Sequence, residues 1–127
     1  MCTRFSLIAC FILIATLCTA CGPQTEADTR PTHDIQGTWE YTMLAEDGNT
    51  YDTGTIEFTG ELEEGTYRQL NIYEIEYEGE YRVKGAAITL TGDELWEGII
   101  TSSTQMNGTW SHKGEASGTW SAVKLNP

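Results

Sequence analysis

Beyond position 21 the chain contains no cysteine: all four, Cys2, Cys10, Cys18 and Cys21, lie at its beginning. A domain built from the remainder can form no internal disulfide and no zinc site of clustered Cys and His. Histidine is scarce too, with His33 in a polar stretch and His112 in a turn pattern. A hydrolytic triad needs a base beside its nucleophile, and neither histidine lies in a segment patterned for burial. The chain is therefore expected not to be an enzyme, with no catalytic residue, no metal and no cofactor. Positive charge is short as well: seven Lys and Arg stand against nineteen Asp and Glu, a formal net charge of −12. That balance argues against nucleic acid as a partner. Finally, no stretch holds a helical apolar period for three turns, which points away from helices.

What is present begins with Arg4, followed by a run from Phe5 to Ala20 without a charged residue, and small Thr19 and Ala20 directly before Cys21. That is the layout of a secretory signal. The run is shorter than the ~20 apolar residues that cross a bilayer, and Gly22-Pro23-Gln24 follows at once. Thr19-Ala20-Cys21 resembles the cleavage box of bacterial lipoprotein precursors, although Cys18 stands where that family favours Leu and Leu17 comes one step early. The resemblance implies that Cys21 is the lipidated residue, with diacylglycerol on its thiol and a fatty acyl group such as palmitate on its freed amine. Gly22 in place of Asp then implies the outer membrane as the destination within the cell envelope. Secretion after cleavage near Ala20 is the alternative. Lipidation would account for a lone thiol in an oxidising compartment, and two or three acyl chains make a durable anchor.

On this reading residues 1–20 are a signal peptide, 21–36 a lipidated flexible tether, and 37–127 a single domain. The tether is Gly, Pro, Gln, Thr, Glu, Asp and Arg with almost nothing apolar, too little to offset its ordering entropy. The domain alternates apolar with polar residues in short runs broken by Gly and Asp-Gly, a strand pattern. Trp39, Tyr41 and Met43 share one face, then Ile56 and Phe58. From Thr66 to Glu78 the reading places Tyr73, Ile75 and Tyr77 inward with a bulge near Asn71, and Tyr81 and Val83 follow. Ile88 and Leu90, Trp96 and Ile100, Met106 and Trp110, and Trp120 and Ala122 complete the set. About eight strands on short turns are most economically closed as an all-β, up-and-down antiparallel barrel, with an open sandwich as the alternative.

Gly-Thr-Trp occurs three times, at Gly37-Thr38-Trp39, Gly108-Thr109-Trp110 and Gly118-Thr119-Trp120. Each glycine falls on the face of its tryptophan, where a missing side chain lets a neighbouring indole fill the space or the strand bend. At Gly37-Thr38-Trp39 the domain resembles the lipocalin-like small bacterial barrels, and avidin-like barrels share the same opening tripeptide. The resemblance implies a monomeric binding barrel for a small hydrophobic or aromatic molecule. Its lining would be Trp39, Tyr41, Phe58, Tyr73, Tyr77, Trp96, Trp110 and Trp120, with tyrosine hydroxyls as polar handles. The chain is shorter than a typical lipocalin, lacks a C-terminal helix pattern and matches no biotin site. Eight strands enclose room only for side chains or one small ligand, so a filled interior is an equal expectation. A ligand-free structural or protein-contact lipoprotein is then the alternative function. Asp47, Asn49 and Asp52 read as a solvated hairpin tip rather than a calcium loop, and Glu74 and Glu76 as outer-face acids.

Overall fold

A computed structural model describes residues 29–126. The signal segment, Cys21 and the first part of the tether lie outside the described residues. The strands are β1 (Gly37–Ala45), β2 (Thr50–Gly60), β3 (Glu64–Asn71), β4 (Glu76–Lys84), β5 (Ala87–Thr91), β6 (Leu95–Ser102), β7 (Gln105–His112) and β8 (Ala116–Lys124). Each pairs antiparallel with the next, and β1 pairs with β8 from Trp39↔Lys124 to Ala45↔Gly118, so the sheet is a closed up-and-down barrel. No helix occurs among the described residues. The barrel, not the sandwich, is the fold.

Period-2 alternation sets which side chains go inside. In β1, Trp39, Tyr41 and Met43 are wholly buried, while Glu40 between them is exposed. The outer wall carries Glu40, Glu57, Arg68, Glu78, Glu80, Arg82 and Glu97, all exposed. Such a wall is the opposite of the apolar outer band of a membrane-spanning barrel.

Four indoles share the interior, and glycines make the room. Gly108 faces Trp120 across the β7–β8 ladder, and Trp110 faces Gly118. A Cβ added at Gly98 would stand 2.6 Å from the Trp120 ring, and one at Gly118 would stand 1.8 Å from the Leu44 carbonyl oxygen and 2.9 Å from Trp110 Nε1. The packing role read for the repeated tripeptide is thus met at its second and third copies.

Two expectations change. The long run from Thr66 to Glu78 is not one strand: β3 ends at Asn71, and β4 starts at Glu76 after a tight turn. Asn71 makes that turn, because its Oδ1 accepts hydrogen bonds from the amides of Tyr73 (3.0 Å) and Ile75 (2.9 Å). Tyr73 is consequently 75% exposed, and Ile75 points outward with it, while Tyr67, Gln69 and Asn71 take the inward positions. The second concerns residues 29–36, read as the end of a flexible tether. Residues 29–36 lie against one end of the barrel, here the lower end, where the β4–β5 turn exchanges backbone hydrogen bonds with Thr29 and Thr32. Ile35 is buried there and its carbonyl accepts the Trp39 indole N–H at 2.9 Å. The Gln36 side chain closes the seam, accepting from the Gly60 amide and donating to the Tyr81 hydroxyl.

Gly118→Ala is expected to destabilise the barrel by at least ~2 kcal/mol, because backbone at the β1–β8 closure must shift to admit the methyl group. Urea unfolding of the variant beside the native chain checks this; an unchanged midpoint would contradict the packing argument.

Candidate functional site

The two ends of the barrel differ in chemistry. The lower end is sealed by Ile35 and Gln36, with Trp39, Phe58 and Tyr81 stacked edge-to-face inside it: centroids are 6.5 Å apart for Trp39 and Phe58 and 5.4 Å for Phe58 and Tyr81. The two buried polar residues in the described core, Gln69 and Asn71, both belong to the upper part of β3. Polar groups collect at that end.

Tyr41 points its hydroxyl upward from β1. It donates to Asp52 Oδ2 at 3.0 Å and accepts from Gln69 Nε2 at 3.0 Å, so both of its bonding directions are used. Burial, more than the neighbouring Asp52, pushes its ionisation well above the ordinary tyrosine range. Next to it Trp96 packs edge-on against Tyr41 at 5.5 Å and donates its indole N–H to Glu94 Oε2 at 3.2 Å. Burial raises the Glu94 carboxyl above its usual value, against the opposing pull of the Trp96 hydrogen bond and of His112. Tyr67 is pushed up to about 12, chiefly by burial and further by Glu94 and Asp93. Tyr51 and Tyr77 are raised by the same two kinds of cause, with Asp52 and Glu94 acting on both. His112 Nδ1 is shielded from solvent and has no hydrogen-bond partner.

Tyr51 is the roof. The ladder pairs Met43 with Asp52 and Leu44 with Thr50, which leaves Tyr51 as the extra residue of a bulge. Its ring reaches across the upper end from β2 to lie 4.2 Å from the Trp110 ring of β7, while remaining 45% exposed. Trp110 in turn donates its N–H to the Leu44 carbonyl at 3.0 Å. Beside it, an open recess of about 660 Å³ runs along the outer wall, lined by Leu44, Leu95, Glu97, Thr109, Trp110 and Gly118 among others. Of the groups gathered at the upper end, Trp110 lines this recess, and Tyr41, Tyr51, Asp52, Gln69 and Glu94 do not.

The structure therefore splits the expected lining into four groups. Tyr41, Tyr77, Trp96 and Trp110 come together at the upper end. Trp39 and Phe58 are packed into the sealed lower end, and Trp120 lies between the two, tilted against Trp96 at 5.3 Å with its N–H shared by the Glu97 and Thr109 carbonyls. Tyr73 stands outside on the β3–β4 turn. Sequence reasoning missed Tyr51, Asp52, Tyr67, Gln69, Glu94 and His112 as parts of this end. Glu94 could have been found, since it lies two residues before Trp96 and shares its face. Tyr67, Gln69 and Asn71 form an alternating set of their own, hidden by apolar Leu70 and Ile72 in the opposite phase. Among the described residues, no group of three or more His, Cys, Asp or Glu is placed to hold a metal ion.

Because tyrosines at this end keep their protons longer folded than unfolded, the folded chain binds more protons above pH ~10, and stability must fall as pH rises from there through about 12. Each such tyrosine contributes a slope of up to about 1.4 kcal/mol per pH unit. Urea unfolding between pH 9 and 11.5 is expected to show this loss, and Tyr67→Phe is expected to flatten it.

No family model matches the chain, and no curated protein matches it. Solved structures do. A redesigned β-barrel superposes with a TM-score of 0.60 at 18% identity, covering 72% of this chain and 92% of its own. A de novo designed fluorescence-activating β-barrel gives 0.53 at 17% identity over 71% and 93%, and a barrel bound to DFHBI gives 0.52 at 19% over 72% and 94%. What these share with the chain is the closed eight-stranded antiparallel barrel.

Proposed function

We propose that this chain is an envelope lipoprotein, anchored through Cys21, whose barrel binds a small aromatic molecule at its upper end. One observation carries the binding reading: a half-exposed tyrosine, unpaired in the ladder, lies ring-on-ring over a buried indole at the polar end of an otherwise filled tube. A flat ligand would part the Tyr51 ring from Trp110, which it touches at 4.2 Å, and stack between them with Asp52 and Glu94 as its polar partners. The lower end offers no such place, being plugged by the chain's own residues. That two barrels of similar fold are described as fluorescence-activating or bound to DFHBI supports the reading by analogy of architecture. The anchor rests on the lipoprotein resemblance at Thr19-Ala20-Cys21. With residues 29–36 docked on the lower end, an anchor at Cys21 would tie that end nearer the membrane and leave the upper end nearer solvent.

A second reading, a protein-contact module, is favoured by Ile72, Tyr73 and Ile75, all exposed on the turn braced by Asn71. A tryptophan-quenching screen across flavins, haem and simpler aromatic molecules separates the two. Binding at the upper end predicts saturable quenching by at least one of them, and up to about tenfold weaker affinity in Tyr51→Ala, where one stacking face is lost. Absence of quenching across the panel would leave the protein-contact reading. For the anchor, Cys21→Ser is expected to abolish incorporation of labelled palmitate and release the chain from the membrane fraction. Unaltered labelling would show that Cys21 is not the modified residue.

A further inference from the structure

Resting on that reading of the upper end, we infer that its ligand class is an aromatic molecule bearing an organic ammonium group, the ring between Tyr51 and Trp110 and the positive charge among Asp52, Glu94 and the tyrosines. The charges that act most strongly on Tyr41, Tyr51, Tyr67 and Tyr77 are carboxylates, drawn from Asp52, Asp93 and Glu94. Asp52 and Glu94 are half-buried, so each is partly stripped of the water that would screen it. Their protein partners are neutral donors: Asp52 accepts from the Tyr41 hydroxyl and the Thr53 amide, and Glu94 from the Trp96 indole. His112 is the basic group that acts on Glu94, yet its Nδ1 donates to nothing and accepts from nothing.

The lower end provides an internal comparison. There the chain supplies its own ammonium: Lys124 Nζ lies 5.9 Å from the Trp39 ring centroid and 3.5 Å from the Asp34 carbonyl. An indole, an oxygen acceptor and a cation are thus combined at one end of the barrel. At the upper end the indole, the acceptors and additional phenol rings recur, and the hydrogen bonds that Asp52 and Glu94 accept come from the neutral donors named above. Aromatic faces beside partly desolvated carboxylates are the arrangement that recognises an ammonium group, through the ring quadrupole and direct charge attraction together. A neutral ligand would leave the carboxylates uncompensated, and an anionic one would be repelled. A divalent metal fits less well, since among the described residues no three acids or histidines are grouped to hold one.

The test uses three probes of one shape at neutral pH: 2-phenylethylamine, protonated there, 2-phenylethanol and 3-phenylpropanoate, titrated calorimetrically into the native chain, Tyr51→Ala and the double variant Asp52→Asn/Glu94→Gln. The amine is expected to bind at least about tenfold more tightly than the alcohol, and the acid more weakly than either. In the double variant the amine-to-alcohol ratio should fall to within about twofold. Equal affinity of amine and alcohol, both weakened in Tyr51→Ala, would overturn the ammonium preference and leave the aromatic site standing. No binding of any probe at millimolar concentration would overturn the site and the preference together. Should the double variant fail to fold, Glu94→Gln alone must reduce the ratio, and the native three-probe series remains decisive by itself.

Discussion

Four indole rings must fit along the axis of a tube that eight strands make only wide enough for side chains, and each ring carries an N–H that needs an acceptor where water is excluded. The chain meets both demands at once. Every indole nitrogen finds an oxygen: Ile35 for Trp39, Glu94 for Trp96, Leu44 for Trp110, and the Glu97 and Thr109 carbonyls for Trp120. Volume is recovered by omitting side chains opposite the rings, at Gly98, Gly108 and Gly118. The repeated tripeptide is therefore a device in which bulk and its absence alternate between neighbouring strands, and it performs no chemistry.

Placing the largest rings on the axis has a further effect on polarity. Below Tyr41 the tube is closed with apolar contacts and a backbone plug. Above it, Tyr41 and Gln69 bring hydrogen-bonding groups into a region that Asp52 and Glu94 make electrically negative. The barrel thus has one end sealed by its own chain and one end where polar groups gather. This asymmetry follows from where the polar groups fall, at the late positions of β3, the early positions of β2 and the turn just before β6.

Much of the fold was legible because alternation with period two survives in seven of the eight strands as clear runs, each bounded by glycine or a polar turn. The β3–β4 boundary was not, for a definite reason. Its turn contains no glycine or proline; Glu74 adopts the positive φ of 62° that such residues usually supply, and the Asn71 side chain holds the loop. Gly79, which looks like a breaker in sequence, stays within β4 because the Tyr67 ring covers it. The functional end was only half legible. Large aromatic residues announce themselves, but Tyr51 reaches Trp110 only through a bulge, and Gln69 becomes a partner of Tyr41 only once strands distant in sequence are brought together.

The ladder between β1 and β8 has one more implication, concerning time. Its partners, such as Tyr41 and Ala122, are separated by most of the domain's sequence, so neither ordering of the first strand nor local hairpin formation can complete the ring. A chain emerging from the ribosome in order must remain a curled ribbon, with a bare edge on each side, until its final nine-residue strand arrives. Contacts of such long sequence separation are slow to form. Closure accordingly waits for β8, and whatever shields those edges in the interval, by a chaperone or by early collapse of the indoles, governs how much of the chain reaches its finished form.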